Sequence, residues 1–188
     1  TSGAITMQSD LASAGINYIT GPTDNNKAIS VPALSIFRIA NTASALSTYT
    51  LMYDIRVASV AGFHCLLQTN LNNDDDADFC INRSGALGLN VDGWGYGGNV
   101  SLNDWHRVIL SVKDGIPCAY LDGVKVNEGT GTDNGNWLLA EGGTFLFCDN
   151  DGEDNDIDVA EISLWDQALN DAQVLNLGTI SSGESLSV

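Results

Sequence analysis

The strongest constraint on the fold lies in residues 104–126, "DWHRVILSVKDGIPCAYLDGVKV", where Asp114-Gly115 and Asp122-Gly123 interrupt short apolar runs. Asp-Gly is a favoured pair in two-residue hairpin loops, because both central residues take positive φ and glycine does so without steric cost. Three consecutive antiparallel strands are therefore expected. Val108, Leu110 and Val112 share one face of the first strand. Pro117, which cannot donate to a ladder, falls just past the first turn, where a missing amide does least harm.

The same local grammar extends along the chain. In "YTLMYDIRV", Tyr49, Leu51, Tyr53, Ile55 and Val57 alternate with Thr50, Met52, Asp54 and Arg56, a period of two that predicts a strand. Short runs separated by turn residues continue through nearly the whole length, the pattern of an antiparallel sandwich. One helix is expected, in "ALNDAQVLNLG": Asn170 or Asp171 caps it, Ala172, Leu175 and Val174 form its buried side, and Gly178 ends it. There is no internal repeat, linker or shift in composition, and 188 residues suit one undivided sandwich, so residues 1–188 are read as a single domain.

Charge narrows the partners. The net charge of -17 comes from 24 acidic against 7 basic residues, which would repel a phosphate backbone or an anionic lipid surface. Nucleic acid and membrane insertion are not expected, and no apolar run approaches the roughly 20 residues of a membrane helix. Neutral glycans, divalent cations and basic protein surfaces stay open; so does plain solubility. The start at Thr1 carries no basic, apolar leader, so the chain reads as processed or trimmed. Cys65, Cys80, Cys118 and Cys148 fit no zinc pattern. A hairpin folded around Asn72 and Asn73 would set Cys65 opposite Cys80, as buried thiols or as a disulfide.

Four ordered blocks carry a resemblance: "NKAISVPALSIFRI", "STYTLMYDIRV", "DWHRVILSVKDGIPCAYLDGVKV" and "VAEISLWDQALNDAQVLNLG". Together they resemble the laminin-G-like branch of the concanavalin A-like lectin/glucanase superfamily. The resemblance covers most of residues 27–178 and implies an all-β, two-sheet antiparallel jelly roll with one short C-terminal helix. It further implies a binding or adhesive module of a larger bacterial protein, secreted, periplasmic or at the cell surface, with a glycan or an extracellular protein as ligand. Trp105, His106 and Trp165 fall on the family's packed positions.

Three features bear on chemistry. "DIDVAE" is similar to the E-x-D-x-x-E strand of laminarinase-like glycoside hydrolases, with Asp156 as nucleophile, Asp158 as assisting acid and Glu161 as acid/base. Asp156 is one methylene shorter than the glutamate that pattern needs, so a non-catalytic module is the expected reading and a small hydrolase, or a structural spacer, the alternative. The acidic loops "NNDDDAD" and "DNDGEDNDID" offer hard oxygen donors suited to calcium. Asp149, Asp151, Asp154 and Asp156 are the candidate ligands, with Asp74 and Asp76 as a second loop; solvated turns are the other reading. Finally, Trp94 and Tyr96 in "DGWGYGG", with Trp137, are candidate stacking platforms for a sugar ring, and Trp94 is equally readable as an inward plug.

Overall fold

The computed structural model describes residues 16–23, 26–35, 37–39, 45–70, 78–89, 94–129, 135–139, 144–149 and 152–180. Among them run β1 (Asn17–Thr20), β2 (Lys27–Val31), β3 (Phe37–Ile39), β4 (Tyr49–Arg56), β5 (His64–Gln68), β6 (Asp78–Ile81) and β7 (Leu87–Leu89). There follow β8 (Gly95–Gly97), β9 (Trp105–Lys113), β10 (Ile116–Leu121), β11 (Val124–Glu128), β12 (Thr144–Leu146), β13 (Ile157–Trp165) and α1 (Asp171–Leu177). They build two antiparallel sheets, a seven-stranded one in the order β1-β2-β13-β4-β9-β10-β11 and a six-stranded one in the order β3-β12-β5-β6-β7-β8. The fold is the two-sheet jelly-roll sandwich with one short helix that the sequence predicts.

Local chemistry accounts for the turns. Asp114 and Gly115 have φ of 50° and 75°, and Asp122 and Gly123 have 51° and 80°, the paired positive values that such hairpin loops need. β9, β10 and β11 follow as three consecutive antiparallel strands.

The core lies between the sheets. Tyr49, Leu51, Tyr53 and Ile55 of β4 and Val108, Leu110 and Val112 of β9 face Leu66, Phe79, Ile81, Leu87 and Leu146 of the other sheet. The opposite face of β4 and β9 is buried as well. Met52, Ile109 and Tyr120 pack beneath Leu169 and Val174, where α1 crosses the outside of the sheet. Polar groups fasten it there: the Ser111 hydroxyl donates to the Leu169 carbonyl at 2.9 Å, and the Thr50 hydroxyl donates to Gln167 and accepts from the Leu169 amide. Asn170 caps α1 in a reciprocal capping box with Gln173. The helix buries Val174, whereas Leu175 is 64% exposed and Ala172 also faces solvent, which corrects the face expected from sequence. The helix leans on strands that sequence periodicity alone does not locate.

One ion pair joins these parts. Arg107 donates through Nε and Nη2 to both oxygens of Asp54 at 2.7 Å each, and through Nη1 to the Leu177 carbonyl at 2.6 Å. The two side chains are only 12% and 5% exposed. Removing one partner strands the other charge in the interior, which generally costs about 3–5 kcal/mol. Arg107→Met is expected to lower unfolding free energy in urea by about that amount, and Asp54→Leu in the same chain to recover a large part of it.

Candidate functional site

Trp94 takes the inward-plug reading, Trp137 departs from the platform reading, and Trp105 and Trp165 depart from the packed positions that the family resemblance implies. Trp94 is 5% and Trp137 4% exposed, so neither is a surface platform. Trp94 stacks on Phe79 with centroids 5.6 Å apart, and Trp137 meets Trp94 edge-on at 4.8 Å. Conversely, Trp105 and Trp165 are half-buried on the outside of the seven-stranded sheet. Trp105 lies under the Arg56 guanidinium at 5.0 Å, and Trp165 packs on the cluster beneath α1. The strand period explains this: Trp105 has the parity of Arg107 and Ile109, opposite to Val108 and Leu110. His106 has the inward parity and is buried.

Gly97 and Gly98, close after Trp94, serve close approach to Val126. A side chain on Gly97 would run into the Val126 carbonyl of β11, and Asn127 Nδ2 donates to the Gly95 carbonyl at 2.7 Å. β8 thus lies backbone to backbone against the far edge of the other sheet. Tyr96, the third platform candidate, is half-buried on this strand.

The acidic loop before β13 is a built structure. Asp149 accepts from Gln68 Nε2 at 2.9 Å and from the Glu153 amide at 3.0 Å. Asp154 Oδ2 accepts from the Leu34 amide at 2.7 Å, and Asp156 Oδ1 from the Ala33 amide at 2.9 Å. Those amides belong to a tight turn closed by Ser35 N donating to the Pro32 carbonyl. Leu34 holds φ of 66° there, a strained left-handed conformation for a leucine, and is 79% exposed. Burial, reinforced by the Asp154 and Asp149 carboxylates, pushes the Cys148 thiol up to about 12. Asp74, Asp76 and Asp151 fall outside the described residues. Among the described residues no three His, Cys, Asp or Glu side chains converge as a metal cage, and Asp156, like Asp154, holds an amide of the Pro32–Ser35 turn. Cys65 and Cys80 are register partners across β5 and β6, and none of the four cysteines is in a disulfide.

The three carboxylates of the hydrolase reading are each engaged. Asp158 is ion-paired with Arg56 at 2.8 Å, and Asp156 holds the Ala33 amide. Glu161 accepts from the Ser163 hydroxyl at 3.2 Å and stands 3.8 Å from Arg107. A Ser-His-Asp chain also occurs. Ser101 Oγ lies 2.8 Å from His106 Nε2, and His106 Nδ1 donates to Asp122 at 2.7 Å. Yet Nε2 accepts the Ser101 backbone amide at 3.1 Å, and the Ser101 hydroxyl donates to Asp104 at 2.8 Å. With the hydroxyl and Nε2 each shared with a second partner, these groups clamp the loop before β9 to the second hairpin turn.

A cleft opens where two strands part. The β2–β13 ladder ends at Val159 opposite Ile29, beside the irregularity between Val159 and Glu161 in the β13–β4 pairing, while β2 continues beside β1 to Lys27. The cleft encloses about 290 Å³ and is lined by Tyr18, Lys27, Ile29, Val159, Ala160 and Ile162 among others. Tyr18 is 70% exposed, with Lys27 Nζ 5.7 Å from its ring centroid. Sequence reading missed Tyr18, Lys27 and Gln68. The available signal was Tyr18 in "NYIT", an aromatic on a short alternating run; its cleft exists only once β1, β2 and β13 are side by side.

Comparison with known proteins supports the fold. No protein-family model and no curated protein matches the chain. Among solved structures, it is similar to a heptameric SAP-like pentraxin from Limulus polyphemus, with a TM-score of 0.61 and 18% identity over 79% of this chain and 80% of that one. It is also similar to domain 4 of AbnA, a GH43 extracellular arabinanase from Geobacillus stearothermophilus, in complex with arabinotriose. There the TM-score is 0.61 and the identity 18%, over 87% of this chain and 81% of that one. The binding domain of Paraclostridial Mosquitocidal Protein 1 aligns with a TM-score of 0.62 at 16% identity over 87% of this chain, which spans 45% of that chain.

Two outcomes test this geometry. Trp94→Ala is expected to cost about 3–5 kcal/mol in urea unfolding, as deletion of a buried aromatic does; an unchanged midpoint would return Trp94 to the surface. For His106, the Asp122 hydrogen bond raises the pKa against the opposing effect of burial. For Asp122, burial pushes the pKa up, but the His106 and Arg107 hydrogen bonds hold it below its ordinary value. A raised histidine stabilises fully below its unfolded pKa of 6.5 and loses this as pH rises through the folded value. A depressed aspartate stabilises above its unfolded pKa of 3.8 and loses this as pH falls through the folded value. The difference in stability between the parent and His106→Gln is therefore expected to peak between those two ordinary values, in urea melts taken across pH.

Proposed function

We propose that the chain is a non-catalytic, laminin-G-like binding module of a secreted or surface protein, and that it recognises a neutral glycan. The observation that carries this reading is the cleft at the sheet edge, with the exposed Tyr18 ring at its rim and an apolar floor. Sugar rings present C–H faces that stack on aromatics, and a lysine beside the ring donates to hydroxyls. At about 290 Å³ the cleft is at the small end of ligand sites, suited to one or two rings. The net charge of -17 disfavours an anionic sugar. Domain 4 of the arabinanase, similar in fold, was solved with arabinotriose, which makes arabino-oligosaccharides a sensible first probe. The non-catalytic reading is supported by the engagement of Asp156, Asp158 and Glu161 in ion pairs and hydrogen bonds.

The test is calorimetric titration with arabinotriose and a panel of neutral oligosaccharides, on the parent and Tyr18→Ala. A weakening of about tenfold, equal to about 1.4 kcal/mol, is expected at an unchanged melting temperature, since so exposed a ring adds little to the core. Binding that ignores the substitution would place the ligand elsewhere. Release of reducing sugar, abolished by Glu161→Gln, would replace the module with a hydrolase.

A further inference from the structure

Two thiols face each other across a strand pair. Cys65 of β5 and Cys80 of β6 are directly opposite in the antiparallel register, so their side chains leave the same face of the six-stranded sheet. That face is the outer one: Phe79 and Ile81, on either side of Cys80, belong to the core between the sheets, and strand alternation turns Cys80 away from them. The backbone sets their separation. The Cys65 amide donates to the Glu153 carbonyl at 2.9 Å, so it is not spent on β6, and Cys65 and Cys80 form a non-hydrogen-bonded pair. Opposed residues of that kind bring their Cα atoms to about 4.5 Å, inside the range of about 4.4–6.8 Å that a disulfide spans. Both side chains are buried, at 2% and 0% exposure. The Cys65 thiol donates to the Leu67 carbonyl at 3.4 Å, across the irregularity in β5, and a rotation about its Cα–Cβ bond redirects the sulfur toward Cys80. The other two cysteines are placed apart from this pair. Cys118 belongs to β10 of the opposite sheet, and Cys148 follows β12, which β5 separates from β6.

We propose that Cys65 and Cys80 are a covalent modification site, closed into a cross-strand disulfide that staples β5 to β6 when the chain folds beside a small disulfide of the oxidised-glutathione class. One cysteine thiolate attacks a sulfur of that oxidant and releases one thiol; the second thiolate then attacks the protein sulfur of the mixed disulfide and releases the other. Both cysteine S–H bonds and the oxidant's S–S bond break, while one protein S–S bond and two oxidant S–H bonds form. The cysteines are oxidised by two electrons and the oxidant is reduced by two. Burial dictates when this happens. In the folded chain both sulfurs are shielded from a bulky oxidant, so the bridge forms while the hairpin is still open, and the fold then shields it from reductant. Closing a loop of about 15 residues restricts the unfolded chain and raises the melting temperature by about 5 °C or more. The glycan reading neither requires this bridge nor is required by it; the secreted or surface setting proposed above is one in which disulfides persist.

The experiment refolds the full chain from denaturant, once in excess reductant and once in a mixture of oxidised and reduced glutathione, for the parent, Cys65→Ala and Cys80→Ala. After refolding in glutathione, non-reducing peptide mapping of the parent is expected to show Cys65 linked to Cys80, two hydrogens lighter than the separate peptides. Cys118 and Cys148 are expected to alkylate once the chain is unfolded again. The oxidised parent is expected to melt about 5 °C or more above the reduced parent, and neither variant to show that difference. Alkylation of both Cys65 and Cys80 after refolding in glutathione overturns the proposal, as does linkage through Cys118 or Cys148 in their place. A bridged chain that melts no higher than the reduced one overturns it too. Should a variant not refold, the parent's peptide map and its two melts decide by the same criteria.

Discussion

The ladder between β4 and β9 carries load on both faces, and the remaining structure is arranged around that fact. Every residue from Tyr49 to Ile55 is buried. On one side this pair supplies the floor of the inter-sheet core; on the other it must be covered, and α1 with the segment leading to it is the cover. Thr50, Asp54, Arg107 and Ser111 are polar residues on a buried face, each with a defined partner. Burying polar groups is tolerable only when they are paired. The pairing therefore specifies where the helix docks, in a way that apolar contact through Val174 and Leu169 alone would not.

The same sheet generates its cleft by an irregularity. A continuous β2–β13 ladder would leave a flat edge. The extra residue at Ala160 interrupts the β13–β4 register where the β2–β13 ladder ends, and the cleft there has Tyr18 and Lys27 of the edge hairpin in its lining. Bulges terminate pairing and re-aim side chains, and here the bulge lies between Asp158, which pairs with Arg56 of the adjacent strand, and Glu161, which stands 3.8 Å from Arg107 of the strand beyond it. The carboxylates that look like a hydrolase pattern in sequence are thus drawn into sheet-surface ion pairs.

At the acidic loop, negative charge is used as architecture. Asp154 and Asp156 hold two successive amides of the turn at Pro32–Ser35, which helps keep Leu34 in a conformation a leucine rarely adopts. Asp149 ties the loop to β5 through Gln68. These contacts account for one oxygen of Asp154 and leave the other, with the Gln68 carbonyl, buried and without a donor.

Strand period, the Asp-Gly turns, the Asn170 cap and the facing of Cys65 and Cys80 follow from interactions among near neighbours along the chain, and the sequence determined them alone. The jelly-roll class was legible for the same reason. Parity along β9 even held the correct faces of Trp105 and His106, although family position argued otherwise for the tryptophan. What tertiary structure decided were the encounters between distant segments: Gly97 against Val126, Trp94 between Phe79 and Trp137, Tyr18 beside a parted β13, and Gln68 against Asp149. A glycine-rich run looks the same whether its glycines free a loop or admit a neighbouring backbone. Only the approach of the second backbone distinguishes them, because the steric and polar demands on these residues come from atoms remote in sequence.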